Sequence, residues 1–225
     1  DEQELAQIVA DATHPFAVEG DGSKRALGRA ADPAATLSLS AFNRVILYEP
    51  EELVLEAGAA TPLDEIEALL ATANQRLAFE PPNYARLLRS NSRGTIGGMI
   101  ACGLSGPRRL TAGAARDHIL GVRGVNGRGE VFKAGGRVVK NVTGYDIAKL
   151  VTGSFGTLAA LTSITLKLLP RAETEVTLRA ETSDVHGAGH LMRAAMQSPY
   201  DVSCAAFVPG RGVGLRIEGI EVSVA

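Results

Sequence analysis

The sequence contains no tryptophan, and aromatic residues make up only 4% of its 225 residues. Its formal net charge of -2 creates no field that would attract a polyanion. Proteins that bind single-stranded nucleic acid combine a basic groove with aromatic side chains on which the bases stack. The lack of both features argues against nucleic acid as a partner.

Cysteine is also scarce, since Cys102 and Cys204 are the only two. One possible pair, so far apart in sequence, provides neither a disulfide framework nor a metal-binding knuckle. The chain begins with DEQELAQIVADA, whereas a secretion signal has a basic start and an apolar core. We therefore expect a cytoplasmic protein. Cys102 suggests either a redox group or a small buried apolar residue, and the second interpretation is the more common one.

The sequence has no long apolar run either. Its longest stretch without a charged residue, 150–166, is rich in glycine, serine and threonine and is marginal in length for a membrane span. We interpret this stretch as buried core and predict no transmembrane segment.

Glycine, by contrast, is abundant and unevenly distributed. Fifteen of the 25 glycines lie between Gly94 and Gly156. No collagen-like period accompanies them, so this density indicates backbone that approaches something closely. Two glycine loops, Gly97-Gly98 and Ser105-Gly106, would let successive N–H groups converge on an anion. We therefore predict a cofactor that carries phosphate.

A further glycine turn, EGDGSK at residues 19–24, follows a predicted short strand at 16–18. Glycine lets the backbone approach a pyrophosphate, Ser23 can donate a hydrogen bond, and Lys24 supplies positive charge. The alternative is an ordinary surface turn. It is not a dinucleotide fingerprint of the G-x-G-x-x-G type, because Arg25 stands where the third glycine would fall.

Hydrophobic periodicity predicts a chain of mixed helices and strands. The predicted helices cover 2–13, about 63–74, 142–151 and a segment around 191–196. The second should begin with Thr61 as N-cap and Asp64 completing a capping box. The predicted strands are 44–48, 52–57, 119–125, 130–134, 158–169, 175–179, 203–208 and 214–224. Asn126-Gly127 predicts a hairpin between the strands at 119–125 and 130–134.

The segment from Gly94 to Pro170, together with the EGDGSK turn, resembles the type-2 or PCMH-type FAD-binding domain of the vanillyl-alcohol oxidase superfamily. Within that superfamily it is most similar to the FAD-binding E subunits of bacterial glycolate oxidases. The resemblance covers roughly residues 14–172. It implies an α+β (mixed α/β) fold, with an FAD-binding domain of two α/β subdomains at 1–172. Part of a ferredoxin-like α+β cap would follow at 173–225, and a complete cap of this kind needs a further helix and strand.

The resemblance also implies the cofactor and its contacts. The cofactor would be FAD, bound non-covalently because the Gly20 turn has no histidine or cysteine that could tether it. The residues that match the cofactor-binding positions are Gly20, Asp21, Gly22, Ser23, Lys24, Gly28, Pro81, Asn91, Thr95, Ile96, Gly97, Gly98, Ser105, Gly106, Asp117, Gly156, Leu158 and Leu161. Asp117 could instead be part of a simple ion pair.

The function implied is that of an FAD-binding oxidoreductase subunit, which carries electrons from the oxidation of glycolate or a related D-2-hydroxy acid. Its partners would be the catalytic flavoprotein subunit and the iron–sulfur subunit of a glycolate oxidase-type complex, at the inner face of the cell membrane. A small 2-hydroxy acid would bind at the level of that complex. Two alternatives remain: a stand-alone FAD-dependent D-2-hydroxy-acid (D-lactate) dehydrogenase, and a flavin-binding scaffold without catalysis of its own.

No catalytic residue can be assigned from the sequence. Oxidation of a 2-hydroxy acid needs a base for the hydroxyl proton and a cation or metal for the carboxylate, and no such set is visible. Phe155 stands where related 2-hydroxy-acid dehydrogenases carry glutamate. His186 and His190 share a helix face, but without an evident third ligand we predict a solvated face and no metal site.

Overall fold

A computed structural model of the chain describes residues 1–28, 35–136 and 144–224. The helices in these ranges are α1 (Glu2–Ala10), α2 (Leu63–Ala71), α3 (Ala85–Leu88), α4 (Ile96–Ala101), α5 (Arg109–Ala112), α6 (Ala115–His118), α7 (Ile147–Val151), α8 (Val185–Met196) and α9 (Glu221–Val224). The strands are β1 (Phe16–Glu19), β2 (Ala35–Ser38), β3 (Val45–Glu49), β4 (Val54–Gly58), β5 (Gln75–Arg76), β6 (Ile119–Asn126), β7 (Val131–Gly135), β8 (Ala159–Lys167), β9 (Leu169–Pro170), β10 (Thr174–Ala180), β11 (Val202–Val208) and β12 (Gly212–Gly219).

A five-stranded antiparallel sheet, in the order β3-β4-β8-β6-β7, forms the centre of the molecule. The predicted hairpin is confirmed, because β6 and β7 pair antiparallel across the turn at Asn126. The main core lies on one face of the sheet, where fully buried Ile66, Phe79 and Met99 pack together. A smaller core on the other face joins α1 to β6 and β8 through Leu5, Leu37, Val125 and Ala160. Strand β8 is therefore covered on both faces, which explains its almost unbroken run of buried residues.

Helix α2 begins differently from the prediction. Its N-cap is Pro62, whose side chain cannot cap, and no capping box forms. The Thr61 hydroxyl donates instead to the carbonyl of Arg44 at 3.1 Å. The first N–H of the helix, that of Leu63, donates to the Gly94 carbonyl at 3.0 Å. A backbone group from the central glycine segment thus contributes to capping this helix, where the sequence predicted a side-chain cap.

Strands β1 and β2 form a separate parallel pair, in which Ala17 lies opposite Thr36 and Val18 opposite Leu37. Only β1 was predicted from the sequence. The chain between the two strands contains the EGDGSK turn. The pair therefore places that turn at one end of the small core.

Helices α4 and α7 also differ from the prediction. Gly97-Gly98 was predicted to be a loop, but it lies within α4 (Ile96–Ala101), where the Thr95 hydroxyl accepts from the Gly98 N–H. Helix α7 begins at Ile147, with Asp146 as its N-cap. Positions 142 and 143 of the predicted helix lie outside the described residues. This five-residue helix buries only Ala148 and Val151, and Leu150 is exposed.

The C-terminal segment forms a second antiparallel sheet in the order β10-β12-β11. The predicted β-α-β-β sequence is confirmed, although the last strand ends at Gly219 and α9 occupies 221–224. Helix α8 packs on β11 and β12. This order, with a helix crossing from the first strand to the second, is that of the first half of a ferredoxin-like fold.

No helix in the described ranges combines the length and the apolar content that crossing a bilayer requires.

Candidate cofactor-binding site

A cavity of about 810 Å³ lies between the β1–β2 pair, the turn at 20–28 and helix α4. Eleven of the eighteen residues that the sequence predicted as cofactor contacts line it. They are Gly20, Asp21, Gly22, Ser23, Lys24, Gly28, Thr95, Gly97, Gly98, Gly156 and Leu161. The fold thus brings the EGDGSK turn and the first glycine loop to the same space.

The turn at 20–24 is held by its own side chains and by the loop before α4. Gly22 has a φ of 72°, which is in the left-handed region that favours glycine. Asp21 accepts from the Ser23 N–H at 3.1 Å and from the Ser92 hydroxyl at 2.5 Å. Burial alone would raise the pKa of the Asp21 carboxyl, but these hydrogen bonds and nearby Lys24 outweigh it and lower the pKa below its usual value. The charged Asp21 carboxylate therefore links the turn at 20–24 to the loop that precedes α4.

Lys24 places a positive charge inside the cavity. Its ammonium donates to the Ser23 hydroxyl at 3.2 Å and to the Arg93 carbonyl at 3.3 Å. Burial lowers the pKa of Lys24 below its usual value, while Asp21 opposes that effect. Both hydrogen-bond acceptors are uncharged groups, so neither forms an ion pair with the ammonium. Its positive charge can therefore attract a bound anion. A methyl group at Gly94 would overlap the Lys24 Nζ, so Gly94 makes the space that this side chain occupies.

Two other glycines allow the walls of the cavity to approach each other. A Cβ at Gly20 would lie 2.5 Å from the Thr95 Oγ1, and one at Gly97 would lie 2.6 Å from the Ala59 carbonyl oxygen. The Gly97 N–H donates to that same carbonyl at 2.8 Å. Helix α4 is therefore pressed against the end of β4, beside the turn that carries Lys24.

Much of the remaining lining of the cavity is apolar, although Glu19, Arg25, Thr36 and Thr157 also contribute to it. The apolar lining includes Phe16, Val18, Leu27, Leu39, Phe155 and Leu161. A cation and a close backbone turn beside an apolar space suit a ligand that combines a diphosphate with flat aromatic rings. The residues present therefore fit a dinucleotide such as FAD.

Cys102 also lines this cavity. Burial raises the pKa of its thiol, with Lys24 acting in the opposite direction. The thiol is therefore protonated near neutral pH, and the thiolate is the form that reacts as a nucleophile. This favours the interpretation of Cys102 as a small, largely apolar residue.

The seven other predicted contacts do not line the cavity. Pro81 lies at a second cavity, described below, while Asn91 and Leu158 are exposed. Ile96 is fully buried in the main core, and Gly106 packs against Glu80. The Ser105 hydroxyl accepts from the Ala115 N–H, and Asp117 is exposed and caps α6 by accepting from the Ala114 N–H, both at 2.9 Å.

Several lining residues were not predicted. Thr36, Leu39 and Ala59 reach the cavity only because β2 and the end of β4 border it, and no local motif marks them. In the sequence, Phe155 stands out only because related 2-hydroxy-acid dehydrogenases carry glutamate there. No sequence pattern indicated that its ring would line the cavity.

The second cavity, of about 570 Å³, lies where the C-terminal sheet meets the rest of the molecule. Glu218 of β12, only 6% exposed, accepts from Arg76 at 2.6 Å, from the Ser203 hydroxyl at 2.7 Å and from Arg108. Burial alone would raise the Glu218 pKa, but the hydrogen bonds from Arg108, Arg76 and Ser203 lower it to about 2. Nearby, Glu80 binds Arg216 through a pair of hydrogen bonds of 2.5 and 3.0 Å.

Metal ligation has little support in the described residues, which contain no group of three or more histidine, cysteine, aspartate or glutamate side chains suited to an ion. His186 and His190 are both exposed on α8. Their position agrees with a solvated helix face.

Comparison with known proteins gives several relatives and structural neighbours. The chain is 39% identical over 222 residues to the glycolate oxidase subunit GlcE of Escherichia coli (strain K12), covering 99% of this chain and 61% of that protein. It is 30% identical to the glycolate oxidase subunit GlcD of Bacillus subtilis (strain 168), covering 91% of this chain and 41% of that protein. It thus spans about three-fifths or less of these relatives.

The solved structures show the same fold. An alkyldihydroxyacetonephosphate synthase superposes with a TM-score of 0.72 at 15% identity, covering 99% of this chain and 46% of that one. The predicted mixed α/β fold class is therefore confirmed.

The family model described as an FAD binding domain matches residues 1–135. This match covers more than half of the chain and includes both the EGDGSK turn and residues 95–98 at the start of α4, beside the cavity. FAD is thus the cofactor of the matched family, as predicted from the sequence, and the chain belongs to the FAD binding domain family.

Proposed function

We propose that this protein is the FAD-binding part of an oxidoreductase, which carries electrons from the oxidation of glycolate or a related D-2-hydroxy acid. The observation that carries the proposal is the cavity between the EGDGSK turn and α4, where Lys24 and the glycine-lined backbone meet. The substrate class is supported by the 39% identity to a glycolate oxidase subunit. Bound FAD supplies hydride acceptance, while the chain's own residues hold and orient it.

We further propose that different segments of the chain have different roles. Residues 1–172 act as the FAD-binding domain, and residues 173–225 contribute part of a cap on the substrate side. Further subunits of a glycolate oxidase-type complex, a catalytic flavoprotein and an iron–sulfur protein, complete the activity. The complex works in the cytoplasm, at the inner face of the cell membrane. Support comes from the scarcity of cysteine and from the similarity to two subunits of glycolate oxidase.

The first arm of the test concerns the cofactor. We expect the purified protein to show a flavin absorption spectrum and to release FAD into the supernatant on acid precipitation. Release is expected because binding would rest on Lys24, hydrogen bonds and apolar contact, without a covalent bond. A protein that binds no FAD even when incubated with it would contradict the proposal, and flavin that stays in the pellet would contradict non-covalent binding.

The second arm concerns catalysis. Under anaerobic conditions dithionite should bleach the flavin, whereas glycolate or D-lactate should reduce it slowly or not at all until partner subunits are added. A positioned base and an oriented substrate each account for several orders of magnitude in rate, and no residue in the described part of the chain has been assigned to either role. Turnover of glycolate by this chain alone at more than about 1 per second, within the usual range of enzymes, would favour a stand-alone dehydrogenase. Flavin that stays oxidised even with the partner subunits present would favour a scaffold.

A further inference from the structure

Phe155 holds an unusual backbone conformation beside the candidate cofactor site. Its φ of 54° lies in the left-handed region, which is a genuine outlier for a bulky side chain. Such a conformation persists only where the surroundings enforce it, and it is found most often at functional sites. Glycine or asparagine would adopt it with less strain.

The surroundings enforce this conformation through helix α4. The Phe155 N–H donates to the carbonyl of Ala101 at 2.8 Å, and the Gly153 N–H donates to the carbonyl of Ile100 at 3.0 Å. The Ser154 hydroxyl donates to the Val151 carbonyl at 2.8 Å. These hydrogen bonds fix the backbone of residues 153–155. They thereby fix the direction in which the Phe155 side chain leaves the backbone.

That direction brings an aromatic ring to the cavity. Phe155 lines the cavity but is 52% exposed, so the strained backbone does not serve to bury the ring in the core. The ring lies against Gly28, where an added Cβ would be 3.5 Å from its Cε1 atom. The ring edge at Cδ1 and Cε1 therefore lies near a residue without a side chain, and about half of the Phe155 side chain is exposed beside the described lining of the cavity.

We propose that the Phe155 ring stacks against a heteroaromatic ring of the bound dinucleotide and so determines affinity at one end of the cavity. This inference rests on the proposed binding of FAD in the cavity. The cavity offers the positive charge of Lys24 to a diphosphate, and a dinucleotide carries a flat ring system on either side of that diphosphate. Adenine and isoalloxazine share the stacking chemistry, and every such ring has a face that an aromatic side chain can cover.

The test compares Phe155→Asn and Phe155→Tyr with the unmodified protein. Asparagine tolerates a left-handed backbone but has no aromatic ring, so a purely structural role predicts equal or greater thermal stability and unchanged FAD affinity. Stacking predicts that Phe155→Asn weakens FAD binding about fivefold to a hundredfold, the usual loss when a base-stacking aromatic is removed. Phe155→Tyr should bind FAD almost as the unmodified protein does.

FAD release on dilution of the flavin-loaded protein measures the affinity. Calorimetric titration of flavin-depleted protein with ADP and with FMN identifies the ring, because each carries one of the two ring systems. A loss confined to ADP assigns the contact to adenine, and a loss confined to FMN assigns it to isoalloxazine. Leu87→Asn, an exposed apolar position that lines neither cavity, is the matched control.

Two results would overturn the inference. One is equal FAD affinity in Phe155→Asn and the unmodified protein, and the other is FAD binding as weak in Phe155→Tyr as in Phe155→Asn. An unmodified protein that binds no FAD would instead contradict the proposed function. The two failures are therefore distinguishable.

Discussion

At Gly22 the backbone of the EGDGSK turn adopts a φ of 72°. A residue that carries a side chain adopts this left-handed conformation only at a cost of about 1–2 kcal/mol. We predict that Gly22→Val distorts the turn, moves Lys24 away from its position, and abolishes retention of FAD during purification. The flavin-to-protein absorbance ratio measures this.

The matched control is Gly127→Val in the β6–β7 turn, where an added Cβ would meet nothing within 4 Å. That variant should keep its flavin. If Gly22→Val folds and still binds FAD normally, the turn does not hold the diphosphate.

At the same scale, the sequence predicted the contacts whose chemistry is local. The residues from Gly20 to Lys24 are contiguous, and a glycine turn with a hydroxyl and an ammonium indicates an anion site without knowledge of the fold. Ile96 shows the limit, because its neighbours Thr95 and Gly97 line the cavity while its own side chain points into the main core. The direction of a side chain within α4 could not be predicted while Gly97-Gly98 was taken to be a loop.

At the scale of elements, one buried carboxylate contributes strongly to the junction between the C-terminal sheet and the rest of the molecule. Glu218 of β12 binds Arg76 and Arg108 from outside the sheet, and it also binds Ser203 of β11 and Arg216 of its own strand. We predict that Glu218→Gln lowers the free energy of unfolding by about 3–5 kcal/mol, the cost of leaving buried partners without their charge. Thermal denaturation at pH 7 measures the loss.

The pH dependence has a definite sign. The pKa of Glu218 is lowered from 4.5 to about 2, so its stabilising effect is complete above the ordinary pKa and is lost as the pH falls towards 2. The difference in stability between the unmodified protein and Glu218→Gln should therefore shrink between about pH 4.5 and pH 2. Glu175→Gln, at an exposed position on β10, is the control. A difference that stays constant through this range would contradict the role of the charge.

Elements with a strong local pattern were predictable and those completed by distant backbone were not. The β6–β7 hairpin followed from Asn126-Gly127, but the start of α2 depends on the Gly94 carbonyl, which is distant in sequence. Likewise β2 has a short polar pattern, and it forms a strand because β1 pairs with it.

At the scale of the whole molecule, the fold class and the family could be predicted because the glycine pattern extends over many elements at once. The position of the C-terminal sheet could not be. It depends on Glu218 and Glu80 meeting arginines from other parts of the chain, and isolated charges in a sequence do not reveal their partners.

The parallel pairing of β1 and β2 has a consequence for the order in which this molecule gains rigidity. Parallel strands normally need a crossover that covers the sheet, usually a helix, whereas the described part of this connection is the turn at 20–28. Leu37 faces the small core, but Thr36 and Ala17 line the cavity. A bound dinucleotide would therefore cover the side of the pair that borders the cavity.

Ligand binding and local folding are then linked, since a ligand that binds only the ordered pair stabilises it by a free energy that grows with the logarithm of the ligand concentration above the dissociation constant. Amide hydrogen exchange should be slow in β1 and β2 when FAD is saturating and much faster when FAD is removed, while β8 stays protected in both states. Equal protection of β1 and β2 without FAD would show that the pair is rigid before the cofactor arrives.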